Sequence, residues 1–201
     1  MIIEPDRPRP LTRTFTPRTF DQGTGSLDLE FVRHGRGPAA QWASQAEPGD
    51  RVGVSQPRRS YEILPASRWL LLAGDESAVP AIATILESVA GDLQVEVLAE
   101  LEEGHEPVPL PAGDHIRLDW LTRSPGAQPG SSLTTAISAW APPPGPGQAW
   151  AGCEAVAVRT IRQQFLGRLA LPADQAVTRG YWRAGEANHP DHDYGDEPLA
   201  D

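Results

Sequence analysis

The chain has 201 residues, a formal net charge of −10 and 17 basic residues, every one of which is an arginine. An acidic chain without lysine lacks the basic surface that general phosphate-backbone binding requires, so we expect no nucleic-acid partner. The single cysteine, Cys153, excludes an internal disulfide and any multi-cysteine metal site. No apolar run reaches the roughly 20 residues of a membrane span, so we expect a soluble cytoplasmic protein without a membrane partner.

The first third of the chain predicts β structure. Period-two patterns in RTFTPRTF (13–20) and SLDLEFV (26–32) flank the turn residues DQGTG, which indicates a β-hairpin. HGRGPAAQWASQA then predicts a glycine-rich loop and a short helix, and PGDRVGVS predicts a turn and another strand.

From about residue 68 the pattern is one of strands interleaved with helices. RWLLLAG is a continuous apolar strand, typical of a parallel sheet buried on both faces. Helices are predicted in SAVPAIATILESVA, SSLTTAISAW and EAVAVRTIRQQFLGRL, and further strands in LQVEVLAEL, HIRLDWL, QAWAGC and QAVTRGYW. Five such strands predict a doubly wound α/β domain. A boundary in YEILPAS (61–67) divides the chain into domains 1–64 and 65–201.

Two stretches of the front part could bind a cofactor. Arg13, Phe15 and Thr16 offer a guanidinium, a ring to stack on and a hydroxyl to one planar, charged ligand, although an ordinary exposed strand explains them too. HGRGPA (34–39) opens a helix, where backbone N–H groups and the helix dipole can hold a pyrophosphate. A bare turn explains its glycines equally well.

Two more stretches lie at predicted strand ends in the back part. Gly74, Asp75, Glu76 and Ser77 close the first parallel strand, where α/β proteins place nucleotides. Their carboxylates would repel a phosphate directly beside them and could instead cap the helix that follows. Cys153 ends a later strand, and a lone thiol there is more often packing than nucleophile.

Taken together, these stretches resemble the siderophore-interacting protein family, the flavin-dependent ferric-siderophore reductases of the ferredoxin–NADP reductase superfamily. The resemblance rests on RTFTPR for the family's R-x-Y-T, FVRHGRGPAAQWA, PGDRVGVSQP, LLAGDESAVPAI, the EAVAVRTIR helix and GYWRAGEANHPDHDYGDE, in family order. It implies a partial antiparallel Greek-key flavin barrel followed by a doubly wound NAD(P)-binding domain with an acidic tail. It also implies an enzyme that uses FAD and NADH or NADPH to reduce a ferric siderophore and release Fe(II).

The resemblance further implies residue roles. FAD would be contacted by Arg13, Phe15, Thr16, His34, Gly37, Pro38 and Ala39. The nicotinamide dinucleotide would be contacted by Gly74, Asp75, Glu76, Ser77, Glu154, Trp182 and Arg183. Arg123 would meet a 2′-phosphate, whereas Glu100 and Glu102 would disfavour one, so the choice between NADH and NADPH stays open. No protein acid or base is required at the iron, so no catalytic residue is assigned.

Because the chain has no lysine, arginines would have to hold an anionic siderophore. The candidates are Arg18, Arg33, Arg36, Arg58 and Arg59. In the tail, His189 and His192 lie among acidic residues, but consecutive residues of a tail rarely preorganise metal ligands, so we predict no metal site.

The chain also departs from the family pattern. Few residues precede Arg13, where the family usually has several more strands, so a half barrel with unpaired edges is expected. Either the chain begins late, or another subunit supplies the strands, or flavin binding is weakened or lost, and the open edges predict a homo-oligomer. Phe15 replaces a tyrosine, and Cys153 stands where a glycine is usual. Two alternatives therefore remain: another flavin reductase of the superfamily, and a truncated relative that binds a siderophore or partner without turnover.

Overall fold

The computed structural model describes residues 2–3, 11–32, 37–55, 61–186, 189 and 192–193. The predictions for His34 and for four of the five candidate siderophore arginines fall outside these residues. Those arginines are Arg33, Arg36, Arg58 and Arg59. Most of the acidic tail beyond residue 186 lies outside them as well.

The front part is built from short antiparallel strands and one helix. These elements are β1 (Ile2–Ile3), β2 (Leu11–Thr12), β3 (Pro17–Asp21), β4 (Ser26–Leu29), α1 (Pro38–Gln45) and β5 (Val52–Gly53). β1 pairs with both β2 and β5, and β3 pairs with β4 as a separate hairpin. The hairpin confirms the sequence prediction. Its turn is stabilised by Asp21, whose carboxylate accepts a hydrogen bond from the Gly23 N–H at 2.8 Å.

The segment that carries Arg13, Phe15 and Thr16 is irregular, so the prediction of one strand over residues 13–20 is wrong in its first half. β2 ends at Thr12 in one sheet and β3 begins at Pro17 in the other, and the chain crosses between the sheets in these four residues. The described residues therefore form two small sheets, and the Greek-key barrel stays a prediction.

The back part is one six-stranded sheet with helices on both faces. Its elements are β6 (Trp69–Asp75), α2 (Val79–Glu87), β7 (Gln94–Glu102), β8 (Ile116–Arg123), α3 (Ser131–Ala139), β9 (Gly147–Glu154), α4 (Ala155–Gln163), β10 (Ala176–Trp182) and β11 (His192–Asp193). The strand order is β11-β10-β9-β6-β7-β8. β6 to β10 are parallel and β11 is antiparallel, which confirms the five predicted parallel strands.

The alternation of side chains along β6 divides the core into two layers. Leu70 and Leu72 point to the face covered by α2, where Ile82 packs against them. Leu71 and Ala73 point to the opposite face, which α3 and α4 cover. Every residue of β6 is buried because both faces are covered, which accounts for the absence of a polar face in its sequence. Among the described residues, no helix is long and apolar enough to cross a bilayer.

Two sets of contacts hold the front part against the back part. The side chain of Gln148, buried near the start of β9, accepts hydrogen bonds from the Leu64 N–H at 2.6 Å and the Ser67 hydroxyl at 2.9 Å. Its amide nitrogen donates to the Glu62 carbonyl at 3.2 Å. In addition, the Arg18 guanidinium on β3 lies 2.7 Å from the Glu87 carboxylate at the end of α2. The linker is therefore anchored to β9 and the hairpin to α2.

Candidate functional site

The strand order reverses at β6, the first strand of the parallel sheet. From β6 the chain builds β7 and β8 on one side and then crosses to build β9 and β10 on the other. In doubly wound sheets a ligand crevice lies outside the carboxyl ends of the strands at such a switch point. The predicted residues Asp75, Glu154, Arg123 and Trp182 end β6, β9, β8 and β10, respectively, and so lie at this edge.

Asp75 is the centre of a hydrogen-bond network at this edge. One carboxylate oxygen accepts from the Ser77 N–H at 3.0 Å and the Ser77 hydroxyl at 2.5 Å, and so caps the 3₁₀ turn over Glu76–Ala78. The other oxygen accepts from the Glu154 N–H at 3.1 Å and from the Trp182 indole N–H at 2.8 Å. The carboxylate thus joins the ends of three neighbouring strands, β6, β9 and β10.

Burial changes the acidity of Asp75. Asp75 is 1% exposed, and the loss of water raises the pKa of its carboxyl from 3.8 to about 6. The nearby charge of Glu76 makes a smaller contribution in the same direction. The hydrogen bonds from Ser77 and Trp182 favour the charged form and oppose this rise. Burial outweighs them, so this carboxyl titrates near neutral pH.

Glu154 and Glu76 are also held by backbone groups. Glu154 caps α4 by accepting from the Val156 N–H at 2.6 Å and the Ala157 N–H at 3.0 Å. Its second oxygen accepts from the Ala184 N–H at 3.2 Å. Glu76 accepts from the Glu102 N–H at 2.7 Å and therefore ties the turn after β6 to the end of β7. The capping alternative raised from the sequence holds for Asp75, which caps the turn after β6, whereas Glu76 accepts from the backbone at the end of β7 instead.

Glu100, which is fully buried on β7, caps a distant helix. Its carboxylate accepts from the N–H groups of Gly130 at 2.7 Å, Ser132 at 2.9 Å and Leu133 at 3.3 Å, at the start of α3. The Arg123 guanidinium supplies its countercharge at 2.8 Å and also contacts the Glu102 carboxylate at 3.2 Å. Arg123 is 7% exposed, so as placed it is part of this network rather than free to meet a phosphate.

Gly74 and Gly152 make the close packing at the switch point possible. The two residues are register partners on β6 and β9. A Cβ atom at Gly74 would lie 2.5 Å from the Ala78 Cβ and 2.9 Å from the Gly152 carbonyl oxygen. A Cβ atom at Gly152 would lie 2.7 Å from the Trp150 ring. The glycines are therefore needed for the strands, the 3₁₀ turn and the aromatic side chain to approach one another.

The predicted flavin-contacting residues Phe15, Thr16 and Arg13 lie beside an aromatic cluster in the front part. The rings of Phe15 and Phe31 have centroids 4.5 Å apart, and those of Phe31 and Trp42 are 6.0 Å apart. All three rings are half-buried, so each keeps surface for a further planar partner. The cluster joins the irregular segment, the residues after β4, and helix α1.

Helix α1 begins next to this cluster with an open N-terminus. Gly37 is its N-cap and makes no side-chain capping bond, Pro38 follows at the first helical position, and no acidic residue lies in the first turn. Among the described residues, no carboxylate accepts a hydrogen bond from its first N–H groups, whereas those of α3 and α4 are capped by Glu100 and Glu154. An open helix N-terminus is a favourable place for a phosphate group.

The other predicted residues are placed less directly for ligand binding. Arg18 is held by Glu87 and by Glu30, the latter at 3.6 Å, so as placed it joins the hairpin to α2. Arg183 is exposed and contacts Glu186 at 3.3 Å. His189 lies 3.6 Å from the same carboxylate, and the described residues contain no group of three or more metal-ligating side chains suited to a metal ion.

Cys153 is a packing residue. Its side chain is fully buried in the layer under α3 and α4. Burial raises the pKa of its thiol well above the ordinary value, and the nearby charges of Asp75, Glu100 and Glu154 act in the same direction. Burial and the raised pKa both favour the packing role that the sequence predicts for this residue.

Comparison with protein families identifies both parts of the chain. The model of the siderophore-interacting protein family matches residues 67–185, more than half of the chain, and that of the siderophore-interacting FAD-binding domain matches residues 2–61. The chain belongs to the siderophore-interacting protein family. The resemblance inferred from the sequence is confirmed, and the front part is similar to the FAD-binding domain of this family.

Individual relatives agree with the family assignment. The chain is 29% identical over 196 residues to the ferric vibriobactin reductase ViuB of Vibrio cholerae, covering 96% of this chain and 71% of the relative. It is 26% identical to a ferric acinetobactin reductase of Acinetobacter baumannii, covering 92% of this chain and 65% of the relative. A siderophore utilization protein from T. fusca superposes with a TM-score of 0.79 at 35% identity, covering 93% of this chain and 74% of that one.

Three contacts of the site are not predicted by the sequence. It placed Trp182 near the dinucleotide but did not predict its bond to Asp75, and it treated Glu100 only as a charge and not as the cap of α3. No local signal links residues so far apart, because the cap of α3 is supplied by a neighbouring strand and not by the residue before the helix. The third contact, between the rings of Phe31 and Phe15, joins two segments on either side of the β3–β4 hairpin, and no local pattern predicts it.

Proposed function

We propose that this chain is a flavin-dependent oxidoreductase that uses NADH or NADPH to reduce a ferric siderophore and release Fe(II). The observation that carries the proposal is the pairing, in one chain, of a helix N-terminus beside a half-buried aromatic cluster with a doubly wound sheet whose strand order reverses at β6. Both parts match models of one family, and relatives named as ferric-siderophore reductases support the same activity.

The residues of the front part fit FAD. The backbone N–H groups at the start of α1, which follows Gly37, can donate hydrogen bonds to a pyrophosphate, and within the described part of the chain no carboxylate competes for them. Phe15 and its aromatic neighbours offer ring surface to the isoalloxazine, and Arg13 and Thr16 on the same segment are half-buried polar side chains beside it. The chemistry that FAD supplies when bound is the exchange of a hydride for single electrons.

The residues of the back part position the electron donor. The crevice at the ends of β6 and β9 is shaped by Gly74 and by the network around Asp75, and Trp182 presents a half-buried ring at its border. A ring held in this way can pack against a planar ligand and exclude water from it. These residues bind and orient the nicotinamide, and none of them needs to transfer a proton.

Siderophore reduction is supported by the relatives and by the chemistry of the ion. Oxygen-rich chelators hold the smaller, more charged Fe(III) much better than Fe(II), so one electron is sufficient to weaken the complex. Arginine is the only side chain of this protein that is always positively charged, so anionic chelates depend on it. We propose Arg18 as a contact that becomes available when its salt bridge to Glu87 opens.

The decisive experiment is a reductase assay on the purified full chain. We expect the protein to be yellow, or to become yellow on uptake of added FAD, and to oxidise NADH or NADPH when a ferric siderophore is present, with Fe(II) trapped by a coloured chelator. A colourless protein that takes up no FAD overturns the proposal. Faster reduction of free flavin than of every ferric chelate tested identifies another flavin reductase of the superfamily instead.

We also propose self-association through the front part. Its two described sheets end in short strands with unpaired edges, and Phe20 and Val54 are 61% and 53% exposed there. Open strand edges and exposed apolar side chains both favour association with a second copy of this chain. Size-exclusion chromatography with light scattering at increasing concentration is expected to show a dimer or larger species, and a strict monomer at high concentration contradicts it.

A further inference from the structure

The carboxyl ends of β7 and β8 carry both of the residue types that distinguish the two nicotinamide dinucleotides. In doubly wound folds an acidic residue after the second strand accepts hydrogen bonds from the adenosine ribose of NADH, whereas a nearby arginine accommodates the 2′-phosphate of NADPH. Glu100 and Glu102 lie at the end of β7 in this chain, and Arg123 ends β8 beside them. The contacts of these three side chains decide whether this edge of the sheet favours NADH or NADPH.

Arg123 already forms ion pairs with two carboxylates. Its guanidinium lies 2.8 Å from Glu100 and 3.2 Å from Glu102, and its side chain is 9% exposed. To reach a phosphate it would have to leave Glu100, which is fully buried and would then lack a countercharge. Because the removal of one partner from a buried ion pair is strongly unfavourable, this arginine is not free to bind a 2′-phosphate.

The N–H groups at the nearest helix N-terminus are also already hydrogen-bonded. The carboxylate of Glu100 accepts from the N–H groups of Gly130, Ser132 and Leu133, so the start of α3 offers no open donors to an anion. A further carboxylate, Glu76, binds the Glu102 N–H at 2.7 Å. Three carboxylates and one guanidinium leave the edge with a net negative charge.

We propose that this edge selects NADH over NADPH and that Glu102 determines the selectivity. Glu102 has a side chain that is 50% exposed, so its carboxylate can accept hydrogen bonds from the ribose hydroxyls of NADH. The same carboxylate repels a 2′-phosphate, which carries between one and two negative charges. This inference rests on the proposed function, because it concerns the donor of that same reaction.

The test compares the two donors in binding as well as in turnover. NADH and NADPH are titrated into the full chain, with binding followed by the fluorescence of the reduced nicotinamide, and the rate of FAD reduction is then measured anaerobically with each. We expect NADH to bind and react roughly tenfold better or more, a discrimination typical of one unfavourable charge contact. Equal affinities, or tighter binding of NADPH, overturn the inference while the proposed function stands. If neither dinucleotide binds or reduces FAD, both the inference and the proposed function are overturned.

A pair of variants identifies the responsible residue. Glu102→Gln keeps the shape of the side chain but removes its charge, and is expected to tighten NADPH binding about fivefold or more while NADH binding changes less. Glu62→Gln makes the same change of charge at an exposed position in the linker before β6 and is expected to leave the NADH-to-NADPH ratio unchanged. An unchanged ratio in Glu102→Gln, or an equal shift in both variants, overturns the role of Glu102.

Discussion

The indole N–H of Trp182 donates a hydrogen bond across 2.8 Å to the carboxylate of Asp75, two residues that are 107 positions apart in the chain. The bond spans the strand between them, since β10 and β6 both flank β9. It therefore ties the last parallel strand of the sheet to the first at the carboxyl edge of the switch point. The stability of this edge and its response to pH both depend on this contact.

Replacement of Trp182 by phenylalanine is expected to destabilise the protein by about 1–3 kcal/mol at pH 8, because a buried, charged carboxylate loses one of its donors. The free energy of unfolding from a guanidinium titration measures the change. Trp120→Phe, at a half-buried position on the outer strand β8, makes the same exchange of rings away from Asp75. If the two variants lose equal stability, the loss comes from the smaller ring and the hydrogen bond to Asp75 contributes nothing further.

The buried carboxyl of Asp75 predicts a pH dependence of stability. Its pKa is about 6 in the folded chain against an ordinary value of 3.8, so the folded state binds the proton more tightly than the unfolded state does. The stability that this group contributes is therefore present below its ordinary pKa and is lost as the pH rises through 6. The loss amounts to about 3 kcal/mol by neutral pH.

Asp75→Asn isolates this effect, because it removes the titration while other carboxyl groups titrate in both proteins. The unfolding free energy of the wild type minus that of the variant is expected to fall as the pH is raised from 4 to 7, on top of a constant offset from altered hydrogen bonds. A difference that stays constant over this range contradicts the raised pKa.

The two arginines of β8, Arg117 and Arg123, are expected to differ in how much their ion pairs stabilise the fold. Arg123→Met leaves the fully buried Glu100 without its countercharge and should cost about 3–5 kcal/mol. Arg117→Met removes a contact of 3.4 Å to Glu96 from an arginine whose side chain is 72% exposed, and should cost less than about 1 kcal/mol. Chemical denaturation of both variants checks the prediction, and similar losses would mean that Glu100 is stabilised by the α3 N–H groups alone.

Gly74→Ala is expected to destabilise the switch point by about 1–3 kcal/mol, because the added Cβ would overlap the Ala78 Cβ and the Gly152 carbonyl oxygen. Gly91→Ala is the matched control, since a Cβ there meets nothing within 4 Å. Thermal unfolding of both variants provides the comparison. The double variant Gly74→Ala, Ala78→Gly should recover part of the loss. A Gly74 variant as stable as the Gly91 variant would show that the turn shifts at no cost.

The parallel strands and their helices could be predicted because their signals are local. RWLLLAG is apolar throughout because β6 is covered on both faces, and the helix that follows repeats its apolar residues at helical spacing. The prediction failed at Arg13–Thr16, where the period-two pattern continues but the chain passes from one sheet to another. Alternation of side chains shows that a segment is extended, and it does not show which neighbour supplies the hydrogen bonds.

By itself, the sequence determined the family, the order of the elements and the positions of the strand ends, because each of these depends on residues that are close together in the chain. Only the tertiary structure decided what the acidic residues at those ends do. The sequence offers Asp75 and Glu154 as candidates for ligand binding and Glu100 only as a charge that disfavours a 2′-phosphate, yet each accepts hydrogen bonds from backbone groups. Asp75 and Glu154 cap turns formed by their own sequence neighbours, as local capping rules allow. Their further partners, and all those of Glu100, come from other elements, because a parallel sheet brings strand ends together from distant parts of the chain.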